Sequence, residues 1–196
     1  MIHHLPNILT VFRIILTPVF IYILFLGGGS GYPLALAIFI AAGTTDIIDG
    51  YLARRLNVES TIGKLLDPAA DKILVLSAFI SFVTMDLIYL WMVIVIILRD
   101  VLVTALRSIQ EKRNMPMATR KLAKAKTAIQ ITSIIVILSY LSMKVYQVQW
   151  FAELVESLHL IMVFMYLTVI FTVYTGIDYL IANRASIRAL VRTNTP

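Results

Sequence analysis

The chain has 196 residues, of which 60% are hydrophobic and only 14% are charged, and this composition excludes a soluble globular protein of that size. The absence of cysteine excludes disulfide frameworks, thiolate catalysis and iron–sulfur sites, so any metal must have oxygen or imidazole ligands. The net charge of +6 is better explained by anionic lipid headgroups than by nucleic acid, because the cations cluster beside apolar segments. We therefore expect a single membrane-embedded domain over residues 1–196, with no nucleic-acid partner.

Six apolar segments each approach the length that a helix needs to cross about 30 Å of hydrocarbon. The separators are turn-like or polar, and include the glycine-rich run at 27–31, the Arg54 to Leu66 segment and the pair Met85-Asp86. A cleaved signal peptide is disfavoured for the first segment, because its apolar run is long and five more follow. The pattern predicts an all-α integral membrane protein whose six transmembrane helices lie near residues 9–26, 33–52, 68–85, 87–107, 124–143 and 158–181.

The positive charges are distributed unevenly among the connections. Of the 17 Lys and Arg residues, only Lys144 falls in or beside the odd-numbered connections between the predicted spans. Because Lys and Arg are enriched on the cytoplasmic side of a membrane, this asymmetry predicts that both termini are cytoplasmic. We therefore expect a multi-pass protein of the cell membrane whose polar loops after the second and fourth spans face the cytoplasm.

Four aspartates occur where apolar helices should exclude them. Asp46 and Asp49 lie late in the second span, and Asp67 and Asp71 open the third. A charged side chain at such a position costs several kcal/mol unless it is compensated. The spacings i,i+3 and i,i+4 place each pair on one face of its helix, so the two helices can bring four carboxylates together. Such a cluster must hold protons, pair with arginine or bind cations, and its oxygen ligands favour Mg²⁺, Mn²⁺ or Ca²⁺.

Small residues and one arginine follow the first aspartate pair. Gly50 and Ala53 lie four residues after Asp46 and Asp49, so the acidic stripe becomes poor in side chains and a ligand can approach the backbone. Arg54 is a planar bidentate donor suited to phosphate oxygens. With Gly63, in the predicted loop, the whole pattern is Asp-x2-Asp-Gly-x2-Ala-Arg-x8-Gly-x3-Asp-x3-Asp.

This pattern resembles the signature of the CDP-alcohol phosphotransferases, membrane enzymes that move a phosphatidyl or related group from a CDP-linked donor to an alcohol. The resemblance implies the fold of that family, which is typically a homodimer of six-helix subunits. It also implies that Asp71 takes the proton from the acceptor hydroxyl. The implied ligands of one or two Mg²⁺ or Mn²⁺ ions are Asp46, Asp49, Asp67 and Asp71, and the residues implied to shape the CDP pocket are Gly50, Ala53, Arg54 and Gly63.

Shorter runs elsewhere resemble bacterial members of the family whose acceptor is glycerol 3-phosphate. Two positions depart from that pattern, because Asp100 stands where Glu is expected and Ala123 where Gly is common. The matching runs are Pro6-Asn7, Thr10 to Arg13 before Pro18, Asp67-Pro68 with Ala70 to Lys72, Leu106-Arg107 and Lys124 to Thr127.

A dianionic acceptor phosphate needs fixed cations, and the fourth connection supplies them. By the resemblance we expect Arg107, Lys124 and Lys126 to bind it, whereas Arg113, Arg120 and Lys121 are better explained by lipid headgroups. Arg99 lies on nearly the same helix face as Arg107, and we expect it to pair with an acidic side chain or bind substrate phosphate. Its neighbour Asp100 is expected to point away from it.

The resemblance thus implies metal-dependent transfer of a phosphatidyl group from CDP-diacylglycerol to sn-glycerol 3-phosphate, giving phosphatidylglycerophosphate and CMP, with membrane lipids as surroundings. The same chemistry with serine, inositol phosphate or phosphatidylglycerol as acceptor is an alternative. A cation transporter that uses the four carboxylates as an ion path is a second one. It is disfavoured because there is no inverted repeat and all four aspartates crowd toward one membrane face.

Overall fold

The computed structural model describes the backbone of residues 5–56, 61–113, 122–184 and 186–188, and the side chains of 13–44, 72–110, 113, 125–184 and 186–188. All regular structure in these ranges is helical, which confirms the predicted all-α class. The helices are α1 (Leu5–Leu26), α2 (Gly28–Leu56), α3 (Thr61–Thr84), α4 (Leu90–Lys112), α5 (Leu122–Val145), α6 (Gln149–Ser157) and α7 (Leu160–Ala182).

Six of these helices overlap the six predicted apolar segments, and α6 is an addition. It lies in the connection that follows Lys144, has nine residues, and buries only Val155. Nine helical residues span about 14 Å, which is too short to cross a bilayer. A search for apolar segments of membrane-spanning length therefore does not detect α6.

Residues with positive φ mark several of the turns. Gly27 and Gly28 have φ of 59° and 67°, a conformation that glycine adopts without steric cost, and α2 already begins at Gly28. The glycine-rich turn is therefore shorter than the predicted 27–31. Asp86, Gln147 and His159 also have positive φ, and each lies between consecutive helices.

The prediction that Gly63 and Lys64 lie in a loop is wrong. Helix α3 begins at Thr61, so both residues belong to its first turn. The polar composition of this segment favours a loop. Its Lys and Leu residues, however, have high helix propensity, and this agrees with the helical start at Thr61.

The chain divides into two compact units. The first comprises Met1–Leu87 and Ile134–Ile161, and in it α1 packs against α2 and α3. Phe20 of α1 and Phe39 of α2 are fully or nearly buried, with ring centroids 5.9 Å apart. Phe79 and Phe82 of α3 are also fully buried. Aromatic side chains thus form much of the core that holds α2 and α3, the helices that carry the aspartate motif.

The second unit comprises Ile88–Ser133 and Met162–Pro196, and its core is more polar. Met92, Ile96 and Met165 are completely buried, but so are Ser133 and Thr172. The hydroxyl groups of Ser133 on α5 and Thr168 on α7 lie 2.8 Å apart and form an interhelical hydrogen bond. Such bonds satisfy polar groups that would otherwise be costly inside an apolar helix pair.

Two helical segments among the described residues are long and apolar enough to cross a membrane, Ala125–Val145 and Leu160–Ala182. Three further apolar helical stretches are shorter, at Arg13–Leu26, Gly28–Thr44 and Lys72–Thr84. The composition and these helices support association with a membrane. The count of six spans, the orientation of the termini and the single domain over 1–196 stay predictions.

Candidate active site

The aspartate motif lies on two long helices. Asp46 and Asp49 belong to α2, and Asp67 and Asp71 belong to α3. The helices run without interruption through each pair, which is the periodicity that the predicted convergence of the four carboxylates requires. Their side chains lie outside the described residues, so the convergence stays a prediction. The same holds for the predicted donor-site residues on these helices, Gly50, Ala53, Arg54 and Gly63.

The chemistry of the motif suits a hard divalent cation. Four carboxylates supply only oxygen ligands, which Mg²⁺ and Mn²⁺ prefer. Among the side chains that the structure describes, no group of three or more His, Asp or Glu could hold a metal ion, and the four aspartates are not in that set. The donor set thus fits the expected cofactor.

The predicted acceptor residues lie in the second unit. Arg107 on α4 is exposed, Lys126 on α5 is 5% exposed, and the side chain of Lys124 lies outside the described residues. The ammonium group of Lys126 donates hydrogen bonds to both carboxylate oxygens of Asp100, at 2.6 Å each. Lys126 therefore forms a buried ion pair with a carboxylate of the neighbouring helix α4. Acceptor binding by Arg107, Lys124 and Lys126 stays a prediction.

Arg99 pairs with its neighbour in the chain, and the expectation that Asp100 points away from it is wrong. Nη1 of Arg99 donates to Oδ1 of Asp100 at 3.1 Å. Adjacent Cβ atoms on a helix diverge by about 100°, but the long arginine side chain bends back across this angle. Asp100 therefore contacts two cations, and Arg99, Asp100 and Lys126 together carry one net positive charge.

A glycine on α7 lets Arg99 lie against that helix. A Cβ atom at Gly176 would be 3.1 Å from Cγ of Arg99 and 3.8 Å from its Nε, closer than most packed side chains come. A glycine at this position allows a close approach, which is the common role of small residues between membrane helices. We call Arg99, Asp100, Lys126 and Gly176 the α4–α5–α7 charge cluster.

A second polar contact lies near the end of α4. The hydroxyl of Tyr179 on α7 donates a 2.9 Å hydrogen bond to Oε1 of Gln110, a side chain with no exposed surface. Gln110, Tyr179 and Gly176 are not among the site residues predicted from the sequence. The available signal was a polar side chain in each of two apolar helices, Gln110 in α4 and Tyr179 in α7. Because these residues are 69 positions apart, the sequence does not show that they are partners.

Comparison with known proteins identifies the family. The model of the CDP-alcohol phosphatidyltransferase family matches residues 3–174, which is most of the chain. The chain belongs to the CDP-alcohol phosphatidyltransferase family. The matched region contains the complete motif from Asp46 to Asp71 and the predicted acceptor residues, whereas Gly176 and Tyr179 of the second unit lie just beyond it.

Similar proteins from several bacteria carry the names of one activity. The chain is 42% identical over 143 residues to the CDP-diacylglycerol–glycerol-3-phosphate 3-phosphatidyltransferase of Bacillus subtilis, covering 67% of this chain and 74% of that protein. It is 37% identical over 142 residues to the protein of the same name from Pseudomonas fluorescens, covering 69% and 72%. A probable phosphatidylglycerophosphate synthase of Mycobacterium tuberculosis is 35% identical over 182 residues, covering 91% and 80%. This CDP-alcohol phosphatidyltransferase therefore resembles relatives that are named for glycerol 3-phosphate or its phosphatidyl product.

Proposed function

We propose that this CDP-alcohol phosphatidyltransferase is a phosphatidylglycerophosphate synthase, which transfers the phosphatidyl group of CDP-diacylglycerol to sn-glycerol 3-phosphate and releases CMP. The observation that carries the proposal is the complete aspartate motif within the family match, together with the names of the relatives. The predicted cations on α4 and α5 support a phosphate-bearing acceptor in particular, since serine has no phosphate group for them to bind.

On the donor side, the four aspartates of the motif would hold one or two Mg²⁺ or Mn²⁺ ions. Such ions, when bound, neutralise charge on the pyrophosphate oxygens of the donor. Gly50, Ala53 and Gly63 leave room for the CDP group close to the helix backbones, and Arg54 donates hydrogen bonds to phosphate oxygens. The donor's lipid tails remain in the apolar part of the membrane, while its pyrophosphate lies at the cytoplasmic face beside the aspartate motif.

On the acceptor side, Arg107, Lys124 and Lys126 bind the phosphate of glycerol 3-phosphate and orient its free hydroxyl toward the donor. Asp71 accepts the proton of that hydroxyl. The hydroxyl oxygen then forms a bond to the phosphorus of the phosphatidyl group, and the bond from this phosphorus to the oxygen of CMP breaks. The products are phosphatidylglycerophosphate and CMP, which leaves with the bonding electrons.

The proposal includes a topology. Six spans, α1 to α5 and α7, place both termini and the aspartate motif at the cytoplasmic face of the cell membrane, where both substrates meet. The lysine and arginine asymmetry of the connections supports this orientation. The active form is a homodimer of single-domain subunits, by resemblance to the family.

The test is CMP release by the purified chain in lipid–detergent micelles that contain CDP-diacylglycerol. Glycerol 3-phosphate with Mg²⁺ or Mn²⁺ should support release, and a chelator should abolish it. Asp49→Asn should lower the rate by about a hundredfold to a thousandfold, since removing one central charge-stabilising group costs several kcal/mol in the transition state. Asp86→Asn is the matched control, because Asp86 is exposed in the turn before α4 and asparagine tolerates its φ of 57°.

Each acceptor, serine, inositol phosphate and phosphatidylglycerol, should be assayed in parallel. Strong CMP release with serine and none with glycerol 3-phosphate would refute the proposed acceptor. Full CMP release by Asp49→Asn would contradict the role that is proposed for this aspartate in the motif. No CMP release by the wild type with any of these acceptors would favour the cation-transport alternative.

A further inference from the structure

We propose that Asp100 is a positioning residue, which holds the ammonium group of Lys126 where it binds the phosphate of the acceptor. This inference rests on the proposed function, because it takes Lys126 as a phosphate-binding residue. It gives a role to Asp100, which was expected from the sequence to depart from the family pattern and to point away from Arg99.

The contact between the two residues is short and symmetrical. Nζ of Lys126 is 2.6 Å from each of the two carboxylate oxygens of Asp100, and both side chains are at least nine-tenths buried. Lysine has a flexible four-carbon stem and a point charge, so its ammonium group has no fixed position of its own. Two charge-assisted hydrogen bonds from one carboxylate supply that position.

The second cation in the cluster orients the carboxylate. Arg99 donates to Oδ1 of Asp100 at 3.1 Å and has 15% of its side chain exposed. Arg99 also lies close to α7, where a Cβ atom at Gly176 would be 3.1 Å from its Cγ. The carboxylate of Asp100 is therefore bound by Arg99 of its own helix, α4, and by Lys126 of α5.

The charge balance permits anion binding. One carboxylate faces two cations, so the three groups sum to one positive charge, and a phosphate is still attracted to the cluster. A carboxylate that neutralised the lysine fully would compete with the acceptor. A purely structural ion pair that joins α4 to α5 would show the same contacts, and it must be distinguished by kinetics.

The experiment is steady-state CMP release by the full chain, with glycerol 3-phosphate varied at saturating CDP-diacylglycerol and then the reverse. Asp100→Asn should raise the KM for glycerol 3-phosphate about tenfold, the effect of losing a hydrogen bond to a charged group. The KM for CDP-diacylglycerol should not change. Asp100→Glu restores the carboxylate and should recover most of the loss, and Asp86→Asn is the control for the same chemical change elsewhere.

A double variant tests whether Asp100 acts through Lys126. On the Lys126→Met background, Asp100→Asn should add no further increase in the KM for glycerol 3-phosphate. This comparison also serves if Asp100→Asn alone does not fold, because the double variant removes both members of the buried pair. A further increase on that background would overturn the proposal.

The remaining outcomes separate this inference from the proposed function. If the wild type uses glycerol 3-phosphate and Asp100→Asn leaves its KM unchanged or lowers it, only the positioning role is overturned. If the wild type instead uses inositol phosphate, and Asp100→Asn raises the KM for it, the proposed acceptor is overturned and the positioning role is supported. Exclusive use of serine, which has no phosphate group, would overturn both.

Discussion

The two units each contain a lysine paired with a carboxylate, but in different surroundings. In the second unit, Lys126 and Asp100 are 5% and 6% exposed and join α4 to α5. In the first, Lys144 and Glu156 pair at 3.3 Å with more than half of each side chain exposed. Tyr140 donates a hydrogen bond to the same carboxylate and accepts one from Lys144.

The two pairs differ in how much they contribute to the free energy of unfolding. A buried charge that loses its partner has no water to replace it, so breaking the pair is strongly destabilising. An exposed pair exchanges its partner for water and contributes little. The buried pair therefore constrains the packing of α4 and α5. The exposed contacts of Glu156 with Lys144 and Tyr140 hold α6 to α5 only weakly.

The largest expected effect is that of Asp100→Ala, which leaves two cations in the buried cluster without their carboxylate. We expect it to lower the free energy of unfolding by about 3–5 kcal/mol. Thermal or denaturant unfolding of the purified protein in detergent measures this change. Glu156→Gln is the comparison in the first unit and should leave the unfolding midpoint nearly unchanged. Equal losses of unfolding free energy in the two variants would contradict the expectation that the buried pair contributes more than the exposed one.

The six long helices could be predicted because the length and apolarity of a span are local properties of the sequence. Helix α6 could not, since its nine residues are neither long nor uniformly apolar. The start of α3 was missed because Gly63 and polar neighbours favour a loop, whereas the structure continues the helix to Thr61. Compositional signals thus locate long apolar helices better than they locate the helical turns that extend beyond them.

Within the α4–α5–α7 charge cluster, the need for an ion pair was predictable, but the partners were not. The need of Arg99 for an acidic partner follows from its apolar surroundings, and Asp100 fills that need. The contact between Asp100 and Lys126 joins residues 26 positions apart, so no helical periodicity predicts it. Directions at Cβ also mislead for long side chains, which is why Asp100 was assigned to the wrong side of Arg99.

Two tyrosines allow the same substitution in both environments. Tyr179→Phe removes the hydroxyl that donates to the fully buried Gln110, and we expect a loss of about 1–3 kcal/mol in unfolding free energy. Tyr140→Phe removes a donor to the exposed Glu156, which water can replace, so its effect should be smaller. Unfolding measurements on both variants check the order. A larger loss for Tyr140→Phe would show that α6 is held more firmly than its exposure indicates.

Glycine substitutions probe how tightly the charge cluster is packed. A methyl group at position 176 would crowd Cγ of Arg99 at 3.1 Å, whereas one at Gly29 in α2 meets nothing within 4 Å. We expect Gly176→Ala to be less stable than the wild type by about 1 kcal/mol, as crowding outweighs the helix propensity of alanine. Gly29→Ala should be neutral or stabilising. If both alanine variants are equally stable, Arg99 has room to move and the cluster is looser than the contact implies.

The smallest expected effect concerns the exposed contacts of Glu156 with Tyr140 and Lys144, and it depends on pH. The hydrogen bond from Tyr140, followed by that from Lys144, lowers the pKa of Glu156 from its usual 4.5. Because the carboxylate is favoured in the folded protein, its contribution to stability is present above the unfolded pKa and is lost as the pH falls through the lower folded pKa. The unfolding midpoint of the wild type should therefore fall more on acidification below about pH 4.5 than that of Glu156→Gln.

Comparing the two proteins across pH isolates Glu156, since all other carboxylates titrate in both. High salt should reduce the part of the difference that comes from the charge of Lys144. Tyr140→Phe should reduce it more, because the tyrosine hydrogen bond is the largest cause of the lowered pKa. If the difference in unfolding midpoint between the wild type and Glu156→Gln does not change with pH, Glu156 stabilises α6 through packing rather than charge. The attachment of α6 to α5 would then depend on its apolar contacts alone.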